Sequence, residues 1–233
     1  MISAVVYDFH RTLALPPGGT IWRRSLLAEL RGAELDAAEL GRVLEAGFPW
    51  VEPEVQRAHG SQAAARGFFV ELLASAANAA GAAPREARAA AERAYDRITH
   101  PTESNELYPE TLEVLAAVHE RGVRQLVLSN HVWELPGICR ALGLVPPLAE
   151  VLSSARLGVE KPHPLAYRAA IAAAGCSAGE VLFVGDTYEA DVAGPQRAGM
   201  QALLVRRPHA SAPRYADDLR GVLDVLSDYD HDS

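Results

Sequence analysis

The amino-acid sequence predicts an α/β fold: a doubly wound parallel sheet with an all-helical domain inserted after the first strand. Short apolar runs of the kind that form buried strands recur along the chain, and helical patterns alternate with them from residue 105 onwards. The stretch 15–104, in contrast, contains helical patterns and no convincing strand. Alternating strands and helices are typical of a parallel sheet that helices cover on both faces.

The apolar runs predict strands that are buried on both faces, because none of them alternates cleanly between apolar and polar residues. Four runs are clear and a fifth is weaker: Ser3–Tyr7, Gln125–Leu128, Val181–Val184 and Ala202–Val205, then Glu150–Ser153. Between them, Glu110–Arg121 and Leu165–Ala174 have the apolar spacing of helices. The acidic tail, Ser227–Ser233, is expected to fray.

The stretch 15–104 is predicted to be a separate helical domain, so that the α/β core comprises 1–14 and 105–233. Its helical patterns are Ile21–Leu30, Ala37–Ala46, Ser61–Ala80 and Arg85–Ile98. Prolines lie before, within and after this stretch, which favours helices separated by turns. Its alanine-rich part is interpreted as helix, since alanine is the strongest helix former.

Composition and charge exclude several classes of protein. The chain carries 22 basic and 30 acidic residues, a net charge of −8, so a broad nucleic-acid surface is not expected. Its two cysteines, Cys139 and Cys176, are too few for a disulfide scaffold and lack metal-ligand spacing. With no signal-peptide pattern or membrane-spanning apolar run, we expect a cytoplasmic protein without membrane contact. The sequence carries no signal for an oligomeric state.

Polar residues follow three of the predicted strands at the point where each ends. Asp8 follows the first strand, Ser129 and Asn130 follow the second, and Asp186 follows Val181–Val184. Because the carboxyl ends of parallel strands meet at one edge of the sheet, where ligands bind, these side chains are candidates for a common site.

The residues at these strand ends resemble the four motifs of the haloacid dehalogenase-like (HAD) superfamily. Asp8–Leu13 resembles the first motif, Asp-x-Asp-x-Thr/Val after a strand, and Leu128–Asn130 the second, a strand that ends in Ser or Thr. Lys161–Tyr167 resembles the third, a lysine ahead of a helix, and Val184–Asp191 the fourth, with acidic residues five apart. Order and spacing agree across nearly the whole chain. The resemblance implies a Rossmann-like core and a helical cap of the superfamily's first type at 15–104.

The resemblance implies phosphoryl transfer to a carboxylate. Asp8 would attack phosphorus and form an acyl phosphate, which water then hydrolyses. Thr12, Ser129, Asn130 and Lys161 would bind the phosphate and stabilise its charge. Lys161 stands out independently, because it is the single lysine beside 21 arginines, and an ammonium is not interchangeable with a guanidinium. The implied substrate is a small phosphorylated metabolite.

A magnesium ion is the cofactor that the resemblance implies, and Mg²⁺ prefers oxygen ligands. Its ligands would be the side chains of Asp8 and Asp186 and the backbone carbonyl of His10. Asp191 would support the site through water or by orienting Lys161.

His10 is the main departure from the superfamily pattern, since it replaces the second aspartate of the first motif. In phosphatases of the superfamily that aspartate protonates the leaving group and then activates water. Imidazole is able to do both, because its ordinary pKa near 6.5 lies close to working pH. We therefore predict that His10 is a substitute general acid and base; the open alternative is that it is a spectator and the second half-reaction is slow or absent.

Two other functions stay open at this point. One is a metal-independent 2-haloacid dehalogenase that uses Asp8, although Gly185, Asp186 and Asp191 match a metal site of the phosphatase kind. The other is a catalytically weakened module that retains an anion site. Dependence on metal separates the first from a phosphatase, and binding without turnover would identify the second.

Overall fold

The computed structural model describes residues 1–15, 21–31, 35–46 and 60–231. Its main feature is a six-stranded parallel sheet with strand order β5–β4–β1–β6–β7–β8. These strands are β1 (Ala4–Tyr7), β4 (Arg124–Ser129), β5 (Glu150–Ser153), β6 (Val181–Gly185), β7 (Gln201–Val205) and β8 (Tyr215–Ala216). A separate antiparallel pair joins β2 (Ala14–Leu15) to β3 (Glu106–Leu107). The chain leaves β1 in the middle of the sheet, so the switch in strand order falls there.

Helices cover both faces of the sheet. They are α6 (Thr111–Glu120), α7 (Leu135–Ala141), α8 (Ser154–Leu157), α9 (Pro164–Ala174), α10 (Gly194–Arg197) and α11 (Gly221–His231), with a 3₁₀ turn at Ala178–Glu180 and a π-helix at Tyr188–Ala193. In β1, Val5 and Tyr7 belong to one buried cluster, while Ala4 and Val6 belong to another that includes α9. This division explains the continuous apolar runs in the sequence, since both sides of each central strand are buried.

A helical segment lies between β2 and β3. It consists of α1 (Ile21–Glu29), α2 (Ala37–Ala46), α3 (Gln62–Ala79), α4 (Pro84–Thr99) and the single turn α5 (Pro101–Ser104). The Ser61 side chain caps α3 by accepting from the N–H of Ala64, and Pro84 begins α4. On α4, Ala87, Ala90, Ala91, Ala94 and Tyr95 are buried at helical spacing. The alanine-rich stretch is therefore a packed helix, as its composition predicts.

The structure confirms the predicted fold class, and all five predicted strands appear within one residue of their expected ends. The weakest of the five predictions, Glu150–Ser153, matches β5 at both ends. The prediction of a frayed tail is wrong for Ser227–His231, because α11 extends through His231 and buries Val222, Val225 and Leu226. The final two residues lie outside the described part of the chain. The short strands β2, β3 and β8 have no sequence prediction, because two residues are too few to produce a pattern.

No helix among the described residues is long and apolar enough to cross a membrane.

Candidate active site

Several of the predicted site residues lie together at one edge of the sheet. Asp8 follows β1 and Asp186 follows β6, while Ser129 is the last residue of β4; β1 lies between the other two strands. The backbone N–H of Asp8 donates to the carbonyl oxygen of Val184 at 2.8 Å, which fixes the residue just beyond the end of β1. The structure thus places these side chains at the edge where parallel sheets bind ligands.

Lys161 lies at the centre of this site. Its Nζ donates to Oδ1 of Asp8 at 2.8 Å and to Oδ1 of Asp191 at 2.6 Å. The residue is 4% exposed, and a buried ammonium is costly unless it is paired and hydrogen-bonded. Two buried carboxylates meet that requirement. The lysine therefore joins the first motif to the fourth.

The protonation state of Lys161 follows from these contacts. Burial alone lowers the pKa of the ammonium, but the charges of Asp191 and Asp8 and their hydrogen bonds outweigh burial and raise it above its ordinary value. Burial raises the pKa of Asp191, and the attraction of Lys161 opposes that rise. The two carboxylates thus favour the charged ammonium of Lys161.

Asp191 is held so that both of its oxygens are occupied. Oδ1 accepts from Lys161, and Oδ2 accepts from the backbone N–H of Thr187 at 2.9 Å. A Cβ on Gly185 would lie 2.3 Å from the Asp191 Cγ, so only glycine permits this approach of the π-helix to the end of β6. Asp191 is therefore placed to orient Lys161.

Asn130 holds the backbone of Lys161. Its Oδ1 accepts from the N–H of Lys161 and its Nδ2 donates to the carbonyl oxygen of Lys161, both at 2.8 Å. The α9 helix starts three residues later, at Pro164, with the His163 side chain as its cap. Both polar ends of the Asn130 amide are thus engaged in positioning Lys161, and a direct contact of Asn130 with phosphate stays a prediction.

Asp186 is the second buried carboxylate of the site. Its Oδ2 accepts from Nη1 of Arg207 at 3.1 Å, and its Oδ1 accepts from the Thr187 hydroxyl at 3.2 Å. Burial, then the nearby charge of Asp8, raises the pKa of Asp186. The Arg207 side chain is 58% exposed, so this ion pair is a weak one. The sequence does not predict this ion pair, since Arg207 is one of many arginines in the chain.

The acidic residues fit a divalent cation. Carboxylate oxygens of Asp8, Asp186 and Asp191 lie within 4.8 Å of one another, and all three residues are buried. Asp191 is engaged by Lys161 and by the N–H of Thr187, and Asp8 and Asp186 remain the predicted side-chain ligands of Mg²⁺. The predicted ligation by the His10 carbonyl stays a prediction.

His10 lies in a second, uncharged cluster beside these residues. Its Nε2 is 2.9 Å from Oδ1 of Asn105, and its ring centroid is 4.7 Å from that of His131 and 5.1 Å from that of Phe9. Burial lowers the pKa of His10, and burial followed by the charge of His10 lowers that of His131. We call Asp8, Lys161, Asp186 and Asp191 the charged half of the site, and His10, Asn105 and His131 the neutral half.

Thr12 is the predicted phosphate-binding residue in the loop after Asp8, and its contact with phosphate stays a prediction. It is fully buried, and its hydroxyl has no hydrogen-bond partner among the described residues. Its carbonyl oxygen accepts from Arg206 Nη2, which also donates to Glu110 at 2.6 Å. Arg206 has a φ of +66°, rare for a residue other than glycine. The contacts of Arg206 with Thr12 and Glu110 were not predicted, because no sequence pattern around Arg206 indicates them.

Comparison with known proteins identifies the family. A profile of the haloacid dehalogenase-like hydrolases matches residues 6–199, and the chain belongs to that family. It is 34% identical to a phosphoserine phosphatase of Thermus thermophilus, over 66% of this chain and 64% of that protein. It is 33% identical to the human haloacid dehalogenase-like hydrolase domain-containing protein 3, over 55% of this chain and 51% of that protein. A phosphoglycolate phosphatase of Rhodospirillum rubrum is 30% identical over 98% of this chain and 88% of its own length.

Solved structures agree on the fold. A 2-haloacid dehalogenase of Pseudomonas syringae aligns with a TM-score of 0.71 at 23% identity, over 98% of this chain and all of that chain. A HAD phosphatase of Thermococcus onnurineus aligns with a TM-score of 0.62 at 19% identity, over 97% of this chain and 98% of that chain. Dehalogenases and phosphatases share this fold, so the fold leaves the reaction to be decided by the site.

Proposed function

We propose that this protein is a Mg²⁺-dependent phosphatase that hydrolyses a small phosphorylated metabolite through an aspartyl phosphate on Asp8. The observation that carries the proposal is Lys161, which bridges Asp8 and Asp191 next to the buried carboxylate of Asp186. This arrangement combines a positioned nucleophile with fixed positive charge and a place for a divalent cation, as phosphoryl transfer requires. Two of the sequence relatives described above are phosphatases, which supports it.

The chemistry of the first step follows from how Asp8 is held. Lys161 binds Oδ1 of Asp8, so the other oxygen is the one left to attack phosphorus. Its bond to phosphorus forms as the bond from phosphorus to the leaving oxygen breaks. Lys161, which is buried against Asp8, stabilises the charge on the transferring phosphoryl oxygens. Water then attacks the acyl phosphate, releases phosphate and restores Asp8.

Asp8 and Asp186 would bind Mg²⁺, which supplies further positive charge to the phosphoryl oxygens. The proton transfers are assigned to His10, which gives a proton to the leaving oxygen in the first step and takes one from water in the second. Its lowered pKa favours the neutral ring, the form that accepts the proton in the second step.

The helical segment 15–104 is proposed to act as a cap over this site. Within its described part, the Tyr95 hydroxyl on α4 donates to Glu134 at 2.8 Å, and Gln62 on α3 donates to the same carboxylate at 3.1 Å. Glu134 precedes α7, in the loop that follows Ser129 and Asn130. A cap at this place would exclude water from the reaction, with its closure as a gating step.

The test is hydrolysis of an aryl phosphate with and without Mg²⁺, by the protein and by an Asp8→Asn variant. Turnover should require the metal and should fall by roughly 10⁴-fold or more in the variant, since a nucleophile acts together with its partners. An Asp224→Asn variant is the matched control, because Asp224 is an exposed aspartate on α11, away from the site.

Three outcomes would contradict the proposal. Equal turnover with and without Mg²⁺ would exclude the metal dependence. Full activity in Asp8→Asn would exclude the nucleophile. Halide release from a 2-haloacid without metal, in place of phosphate release, would identify a dehalogenase.

A further inference from the structure

Asn105 lies at the joint between the helical segment and the α/β core, directly after α5. It is 5% exposed, and its side-chain amide lies between two partners. Nδ2 donates to the carbonyl oxygen of Pro101 at 3.0 Å, and Oδ1 lies 2.9 Å from Nε2 of His10. No motif of the sequence includes this residue.

These two contacts determine which nitrogen of His10 carries a hydrogen. The carbonyl oxygen of Pro101 can only accept, so the amide nitrogen of Asn105 must face it and the amide oxygen must face His10. An amide oxygen also only accepts, so Nε2 of His10 must donate. In the neutral ring, Nδ1 is then the nitrogen with the free lone pair.

The surroundings of His10 restrict the ring to this arrangement. The rings of Phe9 and His131 both pack against it, with centroids 5.1 and 4.7 Å away. Among the described residues, Nδ1 of His10 has no hydrogen-bond partner, whereas Nε2 is held. The other neutral tautomer, with its hydrogen on Nδ1, would place the lone pair of Nε2 against the lone pairs of the Asn105 oxygen.

We propose that Asn105 is a positioning residue that keeps Nε2 of His10 protonated and directs every proton transfer of the reaction through Nδ1. This inference rests on the proposed phosphatase function. In the first step, the proton on Nδ1 of the imidazolium moves to the leaving oxygen as its bond to phosphorus breaks. In the second step, a proton of the attacking water moves to Nδ1 as the oxygen–phosphorus bond forms and the bond to Asp8 breaks. Nε2 keeps its hydrogen in both.

Nitrogen-15 NMR of the protein labelled at histidine tests the tautomer without any need for activity. The chain has eight histidines, and the signals of His10 are those that disappear in a His10→Gln variant. At pH 8 the wild-type ring should show a protonated Nε2 and an unprotonated Nδ1. In Asn105→Ala the two nitrogens should shift towards the averaged values of mixed tautomers, and the Nε2 hydrogen should exchange faster with water.

Steady-state kinetics with an alkyl phosphate tests whether the tautomer matters to the reaction. Asn105→Ala should lower kcat by about 10-fold, less than the 10²–10⁴-fold that general acid–base catalysis contributes, and leave KM unchanged. Asn105→Asp should keep Nε2 protonated, because a carboxylate oxygen also accepts from Nε2, but it loses the donation to Pro101 and is therefore read by NMR alone. Asn78→Ala, at an exposed position on α3, is the matched control and should behave as wild type.

A protonated Nδ1 in the wild-type protein would overturn the proposal, even if Asn105→Ala failed to fold. Unchanged ring signals and kcat in Asn105→Ala would also overturn it. If the protein hydrolysed no phosphate ester, the proposed function would fail separately, because the ring signals would still show whether Asn105 sets the tautomer.

Discussion

The charged and neutral halves of the site differ in how the fold holds them. In the charged half, Lys161 is fixed by ion pairs with Asp8 and Asp191 that span 153 and 30 residues of sequence. In the neutral half, His10 is held by one hydrogen bond to Asn105 and by ring packing against Phe9 and His131. Ion pairing favours the charged ammonium of Lys161, while at His10 burial outweighs the charges of Asp8 and Asp186 and favours a neutral imidazole. Under the proposed function, the charged half would bind the phosphoryl group and the neutral half would move protons.

Replacement of Lys161 by Met should have the largest effect, because it removes the cation of the charged half. We expect kcat to fall by about 10³-fold, as for the loss of a donor to transition-state charge. We also expect the free energy of unfolding at pH 8 to fall by about 3 kcal/mol, since two buried carboxylates lose their partner. Phosphate release and urea denaturation measure the two effects.

The pH dependence of this variant has a defined sign. Without Lys161, burial raises the pKa of Asp191 unopposed, so the folded protein binds a proton that the unfolded chain has already released. The variant should therefore regain stability as the pH falls through that raised pKa. Arg42→Met, which breaks an exposed pair with Glu39, is the control and should leave the free energy of unfolding nearly unchanged. Wild-type stability at pH 8 in Lys161→Met would contradict the importance of the pairing.

Much of the charged half is predictable from the sequence, and for a physical reason. Apolar runs reveal buried parallel strands, parallel strands end at one edge, and the residues that follow them are Asp8, Ser129 and Asp186. Composition alone points to Lys161, because it is the single lysine in an arginine-rich chain. The contact of Asp191 with Lys161 is expected only from the family resemblance.

The neutral half is much less predictable. The position of His10 marks it as a candidate, but its contact with Asn105 spans 95 residues and depends on how the helical segment returns to the core. The ion pair of Arg207 with Asp186 and the burial of Thr12 also depend on tertiary packing. Residue type alone predicts neither of them. Such contacts arise from tertiary packing, and local patterns carry no signal for them.

His131, in the neutral half, should make the stability of the protein depend on pH. Burial lowers the pKa of His131 in the folded protein, so the unfolded chain binds more protons as the pH falls through its ordinary value near 6.5. The folded state therefore loses stability as the pH falls from about 6.5 towards the lowered pKa. His131→Phe should make the loss of unfolding free energy between pH 7.5 and 5.5 smaller, as measured by urea denaturation at both values. His119→Phe, at an exposed position on α6, should leave the loss unchanged, and an identical loss in wild type and His131→Phe would contradict the prediction.

Replacement of Arg207, which contacts Asp186 in the charged half, should have the smallest effect of these substitutions. Its guanidinium pairs with Oδ2 of Asp186, so it competes there with Mg²⁺. Arg207→Gln should lower the Kd for Mg²⁺ by about two- to five-fold, the effect of losing a weak, partly exposed ion pair. Calorimetric titration of Mg²⁺ measures this directly. Arg197→Gln is the matched control, because the Arg197 side chain is equally exposed, at 58%, and pairs with Glu189 instead. Weaker Mg²⁺ binding in Arg207→Gln would show that Arg207 supports the cation.

The division of labour between the two halves is tested most directly by trapping the phosphoenzyme of a His10→Ala variant. An aryl phosphate has a good leaving group and needs little protonation, so Asp8 should still be phosphorylated while the attack of water is slowed. Mass spectrometry of acid-quenched protein should then show phosphorylated Asp8 accumulating in His10→Ala and little in wild type. Wild-type turnover of His10→Ala with no accumulated phosphoenzyme would contradict the account, because the proton transfers would then not depend on His10.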